Sequence, residues 1–328
     1  MDSRRSRPQN PLDSIRKERG PGPCRNYFRD RLNSRRPDAE KLINDPALSF
    51  ATFFTLLPEL SSGEPPVSLS PRNREAQSLC RIIREDKSAN GNAQHPSYVE
   101  GTRHVLRWMF SAGIEEDGLC QDFDRAVDIS ASILLKIYHD TEILPGVVRL
   151  LFLRNRKKAC LHDLALAFFQ SAGPDTLRET AKYLLSPRKE DVEFAQDLLH
   201  LPRTGNSLRD RRARYQEYLN WLDENRPYLA PTGDSFASSA RPHACQVDLK
   251  AKYLHRGNFP GKKLSGNLPA KTETDCLSCF SRAKEEEKEL LARYSCHLCE
   301  KDPGRWKEWI RLPLKSQLDS ARKREAGQ

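Results

Sequence analysis

Along residues 122–139 the apolar side chains Phe123, Val127, Ile129, Ile133, Leu134, Ile137 and Tyr138 recur mostly three and four positions apart. That is the spacing of a helix with one buried face. The same period predicts helices over 38–57, broken at Pro46, and over 72–86. It predicts another from Ser97, a suitable N-cap, to a stop at Gly113, and one from Pro145, fitted to a first turn, to about Asn155. Further helices follow over 161–171, 175–185, 189–199 and 207–225. Helix-breaking stretches separate them: Pro58, then Ser61–Pro71 with Gly63, Pro65 and Pro66, Ser88–Pro96, Gly173-Pro174 and Ser186-Pro187. The two-residue alternation of a half-buried strand is nearly absent. The pattern predicts an all-α protein with an irregular multi-helix body. Ala181, Leu184 and Leu185 reappear fourteen residues later as Ala195, Leu198 and Leu199, as in the two arms of a helical hairpin, so HEAT-like hairpins are compatible with it. No period of about 40 residues repeats.

Outside residues 38–225, taken as this helical body, the pattern changes. Residues 1–37 are rich in Arg, Pro, Asn and Gly and read as a basic disordered arm. Residues 226–270 read as an irregular connection whose Phe236, Val247, Leu249, Tyr253 and Leu254 dock it. Residues 271–328 read as a CxxC–helix–CxxC module with a basic helical tail.

Composition sharpens this division. Only 37% of residues are apolar and 30% are charged, and the net charge of +10 sits at the ends. Residues 1–37 hold 11 Lys/Arg against 4 Asp/Glu, and residues 241–328 hold 19 against 12, leaving the middle acidic. Basic ends attract nucleic acid or another acidic partner through long-range fields and counterion release. The plainer reading is solvated tails. The N-terminus lacks an apolar signal region, and the run from Ala47 to Leu57 is too short to span a bilayer. A cytoplasmic setting without a membrane partner is expected. Nine cysteines then stay reduced, with Cys80, Cys120 and Cys160 read as small buried hydrophobes.

The strongest chemical signal is Cys276-Leu-Ser-Cys279 and Cys296-His-Leu-Cys299, with 16 residues between. Two CxxC loops can complete a tetrahedral Cys₄ shell, which suits Zn²⁺ or, less well, an iron–sulfur cluster. A straight helix between the pairs would hold them apart. One ion therefore requires a helix that stops near Leu290 and folds back. Completion of a shell by His243, Cys245, His255 or His297, or two redox dithiols, are the alternatives. Most Cys₄ zinc sites staple a fold and catalyse nothing.

Two weaker constellations remain. His139-Asp140 and His162-Asp163, with His104 upstream and Asp191 downstream, match the residue types that hold a water-activating metal in HD-type phosphohydrolases. More plainly, His139 and Asp163 lie at helix ends, where their charges complement the dipole. The run Arg209, Arg211, Arg212 and Arg214 can bind phosphates, with Tyr215 and Tyr218 near enough to stack on bases. More often such a run is a solvated face. Gly257 to Lys263 fails as a P-loop, because only three residues separate its glycines and no Ser or Thr follows the lysines.

The cysteine spacing is similar to the zinc finger of the DksA/TraR family, where the pairs stand one residue further apart. The likeness covers the four cysteines and implies no function. The stretch YHDTEILPGVVRLLFLRNRKKACLHDLALAFFQ with LLSPRKEDVEFAQDLL resembles uncharacterised helical proteins of spore-forming bacteria over residues 97–200, which implies a bacterial protein and no activity. The functional expectation is a non-enzymatic macromolecular interaction protein with a structural zinc site that contacts nucleic acid. The alternative is a metal-dependent HD-type phosphohydrolase.

Overall fold

The computed structural model describes residues 10–62, 66–85, 100–170, 173–203, 207–234, 238–239, 241–258 and 268–326. Ser97, Phe236 and the Ser88–Pro96 and Gly257–Lys263 stretches fall wholly or largely outside them. The protein is all-α, and its described residues contain one two-stranded sheet of three-residue strands. It divides into two compact units: Met1–Ser171 with Ser235–Ala240, and Ala172–Asp234 with Arg241–Gln328. The boundary therefore falls beside Gly173-Pro174, inside the stretch expected to form one body.

The first unit contains α1 (Pro11–Arg19), α2 (Pro21–Ser34), α3 (Arg36–Ile43), α4 (Phe50–Ser62), α5 (Pro71–Glu85), α6 (Glu100–Ile114), α7 (Gln121–Lys136), α8 (Leu144–Lys157) and α9 (His162–Gln170). The expected disordered arm is, from residue 10 onward, part of the fold. Leu12, Cys24 and Phe28 are fully buried. Asn10 caps α1 by accepting from the Leu12 amide at 2.9 Å, and its own amide donates to the Leu42 carbonyl at 2.9 Å. Asp13 accepts from the Ser49 and Thr52 hydroxyls, and Arg16 donates to Thr52 Oγ1 at 2.8 Å and reaches Glu116 at 2.7 Å. Arginine-rich composition concealed this segment because its polar groups are satisfied inside the fold rather than in water.

Pro58 does not stop α4, which continues to Ser62. Phe50 and Phe54 hold its N-terminal half against Phe123, with ring centroids 5.4 and 5.3 Å away. Two glycines permit close helix approach. A Cβ on Gly113 would lie 2.3 Å from Val127 Cγ2, and one on Gly146 would lie 2.8 Å from Ile114 Cδ1. Gly113 faces Val127 of α7 and lies one residue before the end of α6 at Ile114, close to the expected stop. Cys80 is buried as expected, but Cys120 and Cys160 are exposed.

The second unit contains α10 (Pro174–Ala181), continued by a 3₁₀ turn over Lys182–Leu185, α11 (Lys189–Leu198), α12 (Leu208–Asn225), β1 (Leu229–Pro231), β2 (Cys245–Val247), α13 (Leu249–Tyr253), α14 (Ala270–Ser281), α15 (Glu285–Lys301), α16 (Pro303–Trp309) and α17 (Leu314–Glu325). The expected irregular connection thus carries an antiparallel pairing, Leu229 opposite Val247, and a short helix. Its Tyr253 lies at the centre of a core with Phe280, Leu291, Trp306 and Trp309. A buried polar chain threads this core. Trp306 Nε1 donates to Ser295 Oγ at 2.7 Å, and Ser295 donates to the Tyr253 carbonyl. Tyr253 donates to Gln317 Oε1 at 2.8 Å, and Gln317 donates to the carbonyls of Ile310 and Leu312.

Among the described residues, no helix is long and apolar enough to cross a membrane.

Candidate functional site

Each CxxC pair lies within a helix. Cys276 and Cys279 sit on α14, and Cys296 and Cys299 on α15. α15 does not stop near Leu290. It runs unbroken to Lys301, opened by Glu287 accepting from the Lys284 amide at 3.1 Å. Cys296 therefore stands 11 residues, about 16 Å, beyond the helix start. Cys279 stands near the last turn of α14. Among the described residues, no three His, Cys, Asp or Glu side chains are grouped to hold a metal ion. The four thiols, as placed, do not form one shell.

Each pair has its own surroundings instead. Cys276 is buried and its Sγ donates to the Ile310 carbonyl at 3.3 Å. Burial raises its pKa, and the neighbouring Cys279 adds to this. Cys299 is pushed up to about 11 by burial and then by Cys296. Cys296 lines a cavity of about 600 Å³, together with Tyr228, Tyr294, His297 and Glu300. Its Sγ lies 3.3 Å from Tyr228 Oη, which lies 2.9 Å from His255 Nδ1. Tyr228 thus stands between His255 and the thiol. Burial raises the Cys296 pKa, and the Tyr228 hydroxyl opposes that. His297 lines the same cavity, and burial, then Arg324 and Lys301, lower its pKa. His243 stacks face to face on His200, with ring centroids 3.4 Å apart, and Cys245 lies on β2. A thiol raised by burial is protonated at neutral pH, so metal binding here would have to release protons from buried groups.

The His-Asp residues lie in the first unit. His104 and His139 are exposed. Asp140 is fully buried and faces Arg103 at 3.2 Å and Arg107 closer still. Its carboxylate is therefore occupied by guanidiniums. Asp163 is half-buried near Asp128, and the His162 side chain lies outside the described residues. Asp191, in the second unit, is buried and accepts from the Ser186 hydroxyl at 2.7 Å.

The arginine run opens α12. Ser207 caps the helix by accepting from the Asp210 amide at 3.1 Å. Arg211 and Arg214 turn inward and are half-buried, and Arg211 Nη1 donates to the Ser186 carbonyl at 2.5 Å. That bond holds the start of α12 beside the turn that carries Leu185 and Arg188. Arg209 and Arg212 point outward and are exposed, as is Arg188. Among the described residues, none of these three makes a side-chain hydrogen bond or ion pair. Leu185 and Leu208, both exposed large apolar residues, flank them. Tyr215 is half-buried, but Tyr218 is buried and not available for stacking.

Comparison with protein-family models, curated proteins and solved structures finds no match to this chain. Neither resemblance drawn from the sequence gains a counterpart, and any function must be argued from the residues. Sequence reasoning missed Tyr228 as the residue between Cys296 and His255. It also gave no signal for a second cavity, on α5, because that site is built from ordinary helical arginines.

Proposed function

We propose that this chain is a non-enzymatic interaction protein that binds nucleic acid through the start of α12. The observation that supports this reading is the outward pair Arg209 and Arg212, beside Arg188, with no acidic partner. Several other arginines of the same unit are paired, Arg178 with Asp223, Arg226 with Asp175, Arg293 with Glu325 and Arg322 with Glu287, whereas Arg209, Arg212 and Arg188 stand together without an acid. Unpaired guanidiniums fixed on a helix are free to take phosphate oxygens, bidentately and with release of counterions. The exposed Leu185 and Leu208 add apolar contact for sugars or bases. The buried ion pairs around Asp140 leave the HD-type hydrolase reading without a free carboxylate at that position.

The experiment is fluorescence anisotropy with a labelled duplex and a labelled single strand over a salt series. The expected result is binding that weakens steeply with salt. Arg209→Glu/Arg212→Glu should lose at least about tenfold in affinity and reduce the salt slope by about 2. Absence of binding at low salt, or equal binding by the double variant, rejects this reading.

A further inference from the structure

The first unit carries a cavity of about 580 Å³ between the C-terminal half of α4 and the outward face of α5. Its walls are strongly one-sided in charge. Arg74, Arg81 and Arg84 line it, and Glu85 is the only acidic residue among the lining residues. The three arginines occupy successive positions of one helix face, because residues three, four and seven apart stand above one another. Gln77 and Ser78 fill the turn between them, adding neutral hydrogen-bonding groups. Leu57 and Cys80, both buried, also line it and supply its apolar surface.

The guanidiniums are nearly unoccupied. Among the described residues, the Arg81 side chain makes no hydrogen bond or ion pair. Arg84 has a loose 3.9 Å contact with Asp122, and Arg74 donates once, to the Leu69 carbonyl at 3.1 Å. Most of their donors are therefore available, and three like charges repel one another until an anion joins them. The row from Arg74 to Arg84 extends about 15 Å at the helical rise, longer than one phosphate. The cavity volume falls within the range of about 300–1,000 Å³ that accommodates small ligands.

We infer that this cavity binds a small molecule carrying two or more phosphoryl groups in a row, such as a linear polyphosphate or a nucleoside di- or triphosphate. Arg81 would hold the central phosphoryl group bidentately, with Arg74 and Arg84 at either end. The site lies on α5 and does not use the α12 arginines.

The test is isothermal titration of the full chain with pyrophosphate, tripolyphosphate, ATP and sulfate. Saturable binding of one polyphosphate per chain is expected, with sulfate at least tenfold weaker. Because the exposed Arg81 side chain has no hydrogen bond or ion pair to lose, Arg81→Gln should melt close to the wild-type temperature and bind at least tenfold more weakly. Arg209→Glu/Arg212→Glu should bind polyphosphate as wild type does. The inference is overturned by absence of heat, by sulfate binding as tightly, by Arg81→Gln binding equally, or by loss of binding in the α12 variant. Nucleic-acid binding lost in Arg81→Gln, without polyphosphate binding, would also overturn it and make the α5 face part of a macromolecular interface.

Discussion

Asp140 illustrates how a residue type suggestive of chemistry serves the fold instead. It follows His139 directly, and that dipeptide was the reason to consider a metal site. The carboxyl is fully buried, and burial alone would raise its pKa. Hydrogen bonds and charges from Arg107 and Arg103 outweigh that and hold it below the usual carboxylate range. A carboxyl depressed in the folded state contributes stability above its unfolded pKa of about 3.9, and the contribution is lost as pH falls through the folded value. Asp140→Asn should therefore destabilise the protein at pH 7, and the difference from wild type should shrink below about pH 4. Urea unfolding at pH 7 and pH 3 measures this. A difference that stays constant across that range would mean the carboxylate charge contributes nothing. His139, with φ at 50°, takes the left-handed turn that swings Asp140 inward beneath α6, so the dipeptide is a folding device on this geometry.

At the scale of elements, the cysteine pairs pose the clearest question. Cys276 contacts the Ile310 carbonyl and Cys299 lies on α15 beside Cys296; both line one apolar core, but no hydrogen bond joins or is shared by them. Substitutions at independent sites add within about 0.5 kcal/mol. Cys276→Ala and Cys299→Ala should thus each destabilise through lost packing, and the double variant should cost their sum. If one ion linked all four thiols, the first substitution would remove the staple and the second would cost little. A coupling of several kcal/mol, accompanied by zinc retained in wild type and lost in both single variants, would restore the Cys₄ shell. Helices were the most legible feature of this sequence. The periodicity placed α5, α11 and α12 within a residue, since each keeps a wet face, whereas α7 ends at Lys136, short of the expected 139, and is buried all round from Ala126 to Leu135. What periodicity could not register was burial without apolar residues. α1 enters the fold through Asn10, Asp13 and Arg16, which resemble solvated residues in any composition count. α13 is too short for a period to appear, yet it carries the central Tyr253. The spacing of the cysteines was legible too, but not the helix that carries the second pair past its supposed turning point.

At the scale of the molecule, each unit has a core of its own, so each should melt as a cooperative body. In the first, Arg154 joins Asp117 at 2.8 Å and Asp128 at 2.7 Å, and all three side chains are buried. Burial pushes the Asp128 carboxyl up to about 7, and Arg154 opposes that rise. Removing the cation leaves Asp128 without its ion-pair partner and Asp117 with only the more distant Lys157, and breaking a buried pair in this way costs about 3–5 kcal/mol. In the second, Trp306 is fully buried and bonded to Ser295. Trp306→Leu forfeits that bond and opens a void, and large-to-small changes of this kind cost about 2–5 kcal/mol. Differential scanning calorimetry of the full chain should resolve two transitions, because a single all-or-none transition is the behaviour of single domains. Arg154→Met should lower one transition and Trp306→Leu the other. If either substitution lowered both by equal amounts, the two cores would unfold as one, and the partition at residue 171 would have no thermodynamic meaning. The outcome bears on function as well. The α12 arginines and the α5 cavity belong to different units, so a polyphosphate should raise only the transition lowered by Arg154→Met, through its preferential binding to that folded unit. Nucleic acid should raise only the one lowered by Trp306→Leu.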